Sequence, residues 1–305
     1  MQEHSKRYPD YSEYKKRFGI FKENMKKVQF LRETERGSGK YGATKFADLT
    51  DEEFKERHLG LYTKQYDPVL NEFDSDLPPA DIPNVALPES FDWRTKGAVT
   101  PVKNQGENDM KKFVKLCLHS IYTVQNSYRF DDFFRIIFLV LGSCGSCWAF
   151  SVTGNVEGQY KIKHGELLSF SEQELVDCDK LDNGCNGGLP ENAYKAIKKI
   201  GGLELEDDYK YEGDDETCHF NKAKVEVEVS GGVKLPTNET AIAAWLLQNG
   251  PISIGINANG MQFYMGGVSH PWKFLCDPSG LDHGVLIVGF GVYRSKYFKV
   301  EKLSF

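Results

Sequence analysis

Between residues 12 and 36, Tyr14, Phe18, Phe21, Met25 and Val28 recur in steps of four and three, which predicts a helix with one apolar stripe. Glu13 and Arg17 stand four apart on it, the spacing of a helical ion pair. Gly37-Ser38-Gly39 ends the helix. Thr50-Asp51-Glu52-Glu53 reads as a capping box that opens a second, short helix. Residues 65–90 then carry Pro68, Pro78, Pro79, Pro83 and Pro88 among acidic residues, the texture of an extended linker. From Phe91 onward many Gly-marked turns suggest a compact body. One helix is expected to open at Cys147 and another to cover residues 190–199. Residues 224–290 read as strand-rich, with alternation over Val225–Val229 and a buried run over Val285–Phe290. No internal repeat is present. The predicted order is a helical arm, a linker, a helical half and a β half.

A chain of 305 residues has room for about two domains, or one long domain plus an appendage. Hydrophobic content of 40% and charge of 27% are those of a globular protein. The net charge is −6 and there is no basic stripe, which argues against nucleic acid as a partner. The most apolar run, Ile136 to Gly142, is too short to span a bilayer. Met1 to Phe18 is polar and carries no secretory signal, whereas seven cysteines suggest an oxidising compartment. The expectation is a chain that begins after a signal peptide absent from it.

The strongest chemical motif is Ser143-Cys-Gly-Ser-Cys-Trp-Ala-Phe-Ser151. A cysteine at a helix N-terminus faces unpaired N–H groups and the positive end of the macrodipole, both of which favour the nucleophilic thiolate. Cys144 to Trp148 matches the C-G-[SA]-C-[WY] signature of the papain family. His283, in Leu281-Asp-His-Gly-Val-Leu-Ile-Val288, lies 136 residues after Cys147, within the family spacing of roughly 130–150. Val102-Lys-Asn-Gln-Gly106 places Gln105 where that family carries its oxyanion-hole glutamine. Glu13, Arg17, Phe21 and Asn24 hold the spacing of the family's inhibitory propeptide helix, from which Val28 and Arg32 depart. Tyr41-Gly-Ala-Thr-Lys-Phe-Ala-Asp-Leu-Thr50 resembles the second propeptide motif.

The sequence is thus identified as resembling a papain-family cysteine endopeptidase zymogen over residues 12–106 and 143–290. The resemblance implies an α+β, papain-like fold of two halves, helical and β-barrel-like, behind a helical inhibitory propeptide. Residues 1–86 would be propeptide and linker, 87–234 the helical half, and 235–305 a β half whose last strands are missing. It implies Cys147 as nucleophile, His283 as base and Gln105 in the oxyanion hole, with neither metal nor organic cofactor. Gly187 and Gly188 would offer backbone to the substrate. Leu189, Pro190, Gly255, Leu281 and Gly284 would line an apolar pocket for the residue before the cleaved one. Disulfides Cys144–Cys185 and Cys178–Cys218 are implied, leaving Cys117 and Cys276 over. The implied partners are protein or peptide substrates, cystatin-like inhibitors and the chain's own propeptide, which would run through the cleft against substrate direction. The implied state is a monomer, lysosomal or secreted. Asn238-Glu-Thr240 is a glycosylation acceptor if the chain enters the secretory pathway.

Two features depart from the family. Residues 107–142 separate Gln105 from Cys147 by 42 positions where the family has about six. Closing the longer loop costs only about 1.7 kcal/mol, but Phe133 to Leu141 demands burial. Gly106-Glu-Asn108 can be encoded as an intron donor and Phe138 to Gly142 as an acceptor, so this segment reads as a translated intron; the alternative is a surface loop. Second, no Asn follows His283 to orient its imidazole. The expectation is a locus encoding an endopeptidase and a polypeptide that is inactive as written. The rival readings are a dead homologue whose propeptide inhibits related proteases, and a product with no role.

Overall fold

A computed structural model describes residues 6–61, 66–67, 72–73, 77–105, 136–137, 140–141, 144–272, 276 and 280–291. Helix α1 (Tyr11–Thr34) is capped by Asp10, whose carboxylate accepts the Glu13 N–H at 2.9 Å. Its buried residues are Arg17, Asn24 and Val28, while Tyr14 and Phe18 of the expected apolar stripe are 42% and 40% exposed. The cause is the surface α1 packs on. Asn24 Nδ2 donates to the carbonyls of Ala47 (2.9 Å) and Leu49 (2.7 Å). Arg17 reaches the Asp48 carbonyl (3.2 Å), Glu13 (2.6 Å) and Glu53 (2.5 Å). Buried carbonyls need donors, so this contact face has to be partly polar. The Glu13–Arg17 pair therefore belongs to a network that ties α1 to α2 (Asp51–His58). Helix α2 opens on Thr50 with both bonds of the capping box.

Short strands mark the connections. These are β1 (Lys40–Tyr41), the hairpin β2 (Tyr66–Asp67) and β3 (Glu72–Phe73), β4 (Phe91–Asp92), and β5 (Asn104–Gln105), β6 (Ile136–Ile137) and β7 (Val140–Leu141). In the helical half, α3 (Cys147–His164), α4 (Glu172–Cys178) and α5 (Pro190–Ile200) enclose Trp148, Phe170, Leu175, Ile197 and Leu203. Pro190 sits in the first turn of α5, where its missing N–H costs nothing, and Gly201 caps the other end at φ 113°. Strands β8 (Leu203–Glu204) and β9 (Val225–Val227) pair beside them.

The β half holds α6 (Glu239–Asn249), β10 (Ile252–Ile256), β11 (Tyr264–Gly266), β12 (His283–Ile287) and β13 (Gly289–Phe290). Strands β10 and β12 run antiparallel, from Ile256 opposite His283 to Ile252 opposite Ile287. Leu246, Ile254, Phe263, Val285 and Ile287 form the core, joined by Val28 and Tyr41 from the N-terminal arm. The arm also pairs β1 with β11. The described strands do not close into a barrel. Among the described residues the largest sheet has three strands, too few to curl on themselves. Ser151 of α3 stitches the two halves, donating to the Val285 carbonyl and sharing a hydrogen bond with Ser253, each at 2.6 Å.

Most of residues 107–142 lies outside the described residues. The backbone of β6 pairs antiparallel with the free edge of β12, Ile136 opposite Ile287, and β7 runs parallel to β5. Disulfides join Cys144 to Cys185 and Cys178 to Cys218. Cys276 is also disulfide-bonded, with its partner outside the described residues, so it is not left over. Cys147 is the free cysteine among the described residues.

Candidate active site

The loop before α3 is fixed by the Cys144–Cys185 disulfide and by the Gly145 N–H, which donates to the Cys185 carbonyl at 2.8 Å. The helix therefore starts at Cys147 with little freedom, and the thiol stands at its positive end. Cys147 is fully buried. Its Sγ accepts the N–H of Gly284 at 3.2 Å, which sets the sulfur beside the opening of β12, the strand that begins with His283. A side chain on Gly284 is excluded here, because a Cβ would stand 2.9 Å from the Cys147 carbonyl oxygen. His283 is likewise fully buried.

The cover over this pair comes from the N-terminal arm. Leu59, Gly60 and Leu61 follow α2 through the cleft. Gly188 N–H donates to the Gly60 carbonyl at 2.9 Å, and Leu61 N–H donates to the Asp282 carbonyl at 3.1 Å. Leu61 and Gly188 form a parallel bridge. A Cβ on Gly60 would collide with the Gly145 carbonyl, so only glycine passes this point. A cavity of about 600 Å³ among the described residues runs past Asn155, Tyr194 and Trp245, and neither Cys147 nor His283 lines it.

Filling the cleft sets the protonation states. Burial pushes the Cys147 thiol up to about 11, against the lowering effect of the Gly284, Gly60 and Trp148 N–H groups, and nearby Asp282 adds to the rise. Burial pushes His283 down to about 3, with His58 at the end of α2 adding a smaller push in the same direction. Across the physiological range the covered pair is neutral thiol and neutral imidazole, which cannot attack a carbonyl. Asp282, half-buried and accepting the Ala258 N–H at 2.7 Å, is pushed up to about 7 by desolvation.

The pocket residues gather around Leu61. A Cβ on Gly255 would stand 2.7 Å from Leu61 Cδ2 and 3.5 Å from Leu281 Cδ1, so the Leu61 side chain occupies the space the missing side chain leaves. Gly187 and Gly188 face Gly60, and the indole of Trp148 lies under Gly188. Leu189 and Pro190 are buried behind them where α5 begins, and Leu281 is buried beside Asp282. The Gln105 side chain lies outside the described residues. Asn238 is exposed, its Oδ1 capping α6 through the Ala241 N–H at 3.0 Å. Sequence reasoning missed Gly60, Leu61 and Asp282. The available sign was Leu59-Gly-Leu61, an apolar pair around a glycine directly after the second predicted helix.

The model of the papain family cysteine protease matches residues 140–303, and that of the cathepsin propeptide inhibitor domain matches residues 1–54. Cathepsin F of Drosophila melanogaster is 50% identical over 288 residues, which cover 94% of this chain and 40% of that protein. Cathepsin F of Mus musculus is 45% identical over 292 residues, covering 95% and 54%. Cysteine proteinase 15A of Pisum sativum is 42% identical over 296 residues, covering 94% and 69%. The chain thus spans about half the length of the cathepsin F relatives. Among solved structures, a digestive procathepsin L 3 of Tenebrio molitor superposes with a TM-score of 0.72 at 29% identity, covering 97% of this chain and 83% of that one. The recombinant stem bromelain precursor gives 0.72 and 29%, covering 97% and 82%.

Proposed function

We propose, for a chain that belongs to the papain family of cysteine proteases and carries the family's propeptide inhibitor domain, that it is the precursor of an endopeptidase acting through Cys147 and His283. Removal of residues 1–86 uncovers the pair. The thiol proton passes to His283, and the thiolate attacks the scissile carbonyl carbon. The oxyanion that forms is held by the Cys147 N–H and the Gln105 side-chain amide. His283 returns the proton to the leaving amine, giving a thioester, and then takes a proton from the water that hydrolyses it. The product acid leaves and the thiol is restored. One observation carries this reading: the Cys147 sulfur lies 3.2 Å from the backbone N–H of Gly284 at the head of the His283 strand, under a segment that plugs the cleft.

Leu61 in its pocket supports an apolar residue before the cleaved one. The parallel bridge at Gly188 supports inhibition by a segment running against substrate direction. Residues 87–234 and 235–305 form the two halves of the enzyme. Protein substrates, cystatin-like inhibitors, a monomeric state, a lysosomal or secreted location and a glycan on Asn238 complete the reading. The polypeptide that retains residues 107–142 is a poor catalyst, because a shift of Gln105 by about 1 Å is enough to cost rate. An intact, seated propeptide also fits a second role, inhibition of sister proteases by residues 1–86.

Peptide hydrolysis after removal of residues 1–86, lost in Cys147→Ser, tests the main reading. Hydrolysis that survives the substitution overturns it.

A further inference from the structure

The N-terminal segment covers more than the cleft. Leu77 to Ala80 of the linker lie extended against the loop Gly231–Leu235 of the enzyme half. Lys234 N–H donates to the Pro78 carbonyl at 2.8 Å, Ala80 N–H donates to the Lys234 carbonyl at 2.9 Å, and Pro79 is bridged parallel to Lys234. Neither proline has an N–H to give, and in this register neither is asked for one. Both also keep the segment extended before it binds.

Leu77 marks where a side chain enters. A Cβ on Gly232 would stand 3.2 Å from Leu77 Cδ1 and 3.0 Å from Tyr194 Cδ2, so the bare glycine lets both side chains close on one point. The Tyr194 hydroxyl donates to Asn155 Oδ1 at 2.8 Å, which satisfies its polar end and leaves the ring as an apolar wall. Leu77 itself lines the cavity of about 600 Å³, together with Tyr194, Leu235, Trp245 and Ile252. That space stays open with Leu77 in place, so it has room for a larger apolar side chain.

We propose that, once residues 1–86 are gone, the Lys234 edge and this cavity form a second peptide-binding site, which takes an extended segment of a protein substrate with a large apolar residue at the Leu77 position. The inference rests on the reading that residues 1–86 leave when the enzyme matures. Their removal takes away the Pro78 carbonyl, the Ala80 N–H and the Leu77 side chain together. A replacement has to offer a carbonyl one residue after its apolar side chain and an N–H three residues after it, which any extended chain does; this is binding by strand addition. The arm follows the same plan in the cleft, where the Gly60 carbonyl takes the Gly188 N–H. Pro190, which opens α5 and lines the cavity, follows Gly188 by two residues, so cleft and cavity share a wall.

The probe is a fluorescent synthetic peptide with the sequence of Asp76 to Asn84. The protein is freed of residues 1–86 and alkylated at Cys147, so that it cannot cleave the peptide. Anisotropy is expected to show binding to this protein and none to the intact zymogen, whose own linker holds the edge. The variants are made in the peptide, which keeps protein folding out of the result. Leu77→Ala is expected to weaken binding about 10-fold or more, and Leu77→Phe to tighten it about fivefold. N-methylation of the Ala80 nitrogen is expected to weaken it about 10-fold. Hydrogen exchange is expected to show the Lys234 amide protected in the zymogen, faster after removal of residues 1–86, and protected again by the peptide. With active enzyme, saturating peptide is expected to raise KM for an unfolded protein about fivefold and to leave KM for a short peptide unchanged. Absence of binding, equal affinities across the peptide variants, or protection that excludes Lys234 overturns the site. Binding that leaves KM for the protein unchanged, or raises KM for both substrates alike, overturns the substrate role. Binding by a protein that hydrolyses no peptide overturns the catalytic reading instead.

Discussion

Gly60 accepts the backbone hydrogen bond of Gly188 at 2.9 Å, so the arm that blocks the cleft is held by main chain at the point where a substrate backbone would bind. The block depends on the absence of a side chain. Gly60→Val drives a branched side chain into the Gly145 carbonyl and expels the segment. The expected result is a rise of about 100-fold in Cys147 alkylation of the unprocessed protein, the loss of two hydrogen bonds and their burial. Labelling at the rate of the natural sequence contradicts this account of latency.

Arg17 joins Glu13, Glu53 and the Asp48 carbonyl in one partly buried network. Arg17→Ala removes the ion-pair partner of Glu13 and Glu53 and the donor to the buried Asp48 carbonyl, and is expected to destabilise the zymogen by about 2 kcal/mol, below the range for a fully buried pair because both carboxylates are partly wet. Arg17→Lys restores the charge without the fork and is expected to recover less than half. Denaturant unfolding measures both, and a loss under about 0.5 kcal/mol for Arg17→Ala refutes the network's importance.

Gly255 leaves room for the Leu61 side chain beside Leu281. Gly255→Val fills that room. The expected outcome is a drop of about 10-fold or more in kcat/KM for peptides with Leu before the cleaved residue, with a smaller drop for Ala. Equal losses for the two peptides place the pocket elsewhere.

Buried carboxyls set the pH dependence of the enzyme half. Glu174 donates nothing, accepts the Glu204 N–H at 2.7 Å, has its other oxygen buried without a donor among the described residues, and is pushed up to about 8 by burial. A raised acid favours the folded state where it is protonated, so this contribution is greatest below the ordinary carboxylate pKa and is lost as pH rises toward 8. Thermal unfolding is expected to show Glu174→Gln gaining on the natural sequence between about pH 5 and about pH 8.5. Parallel melting curves at both ends refute this.

Removing residues 107–142 is expected to raise peptide hydrolysis by about 10-fold or more, by returning Gln105 to family spacing from Cys147. Equal rates with and without the segment assign it to a harmless loop.

The capping box at Thr50, the helix at Cys147 and the one over 190–200 were legible because each is written in local side-chain chemistry. The buried face of α1 was not. Its apolar periodicity points to Tyr14 and Phe18, but its partner is a stretch of backbone carbonyls that calls for Arg17 and Asn24. Gly60 was harder to read for a related reason: it works through its carbonyl and its lack of a side chain, and Leu59-Gly-Leu61 marks the position without stating either role. His283 and Cys147 were found by motif, whereas their neutral state depends on a cover contributed from about 85 residues upstream of the thiol, which only the fold reveals.

The central claim is that Cys147 and His283 form a reactive pair that the N-terminal arm keeps neutral. The rate of Cys147 alkylation by iodoacetamide against pH, before and after removal of residues 1–86, tests it most directly, with His283→Ala as control. The account predicts negligible reaction at neutral pH before removal. After removal it predicts a reactive plateau reaching down toward about pH 4, as for a His-paired thiolate, that disappears in His283→Ala. A thiol that after removal titrates near its ordinary value of about 8.5, with or without His283, contradicts it.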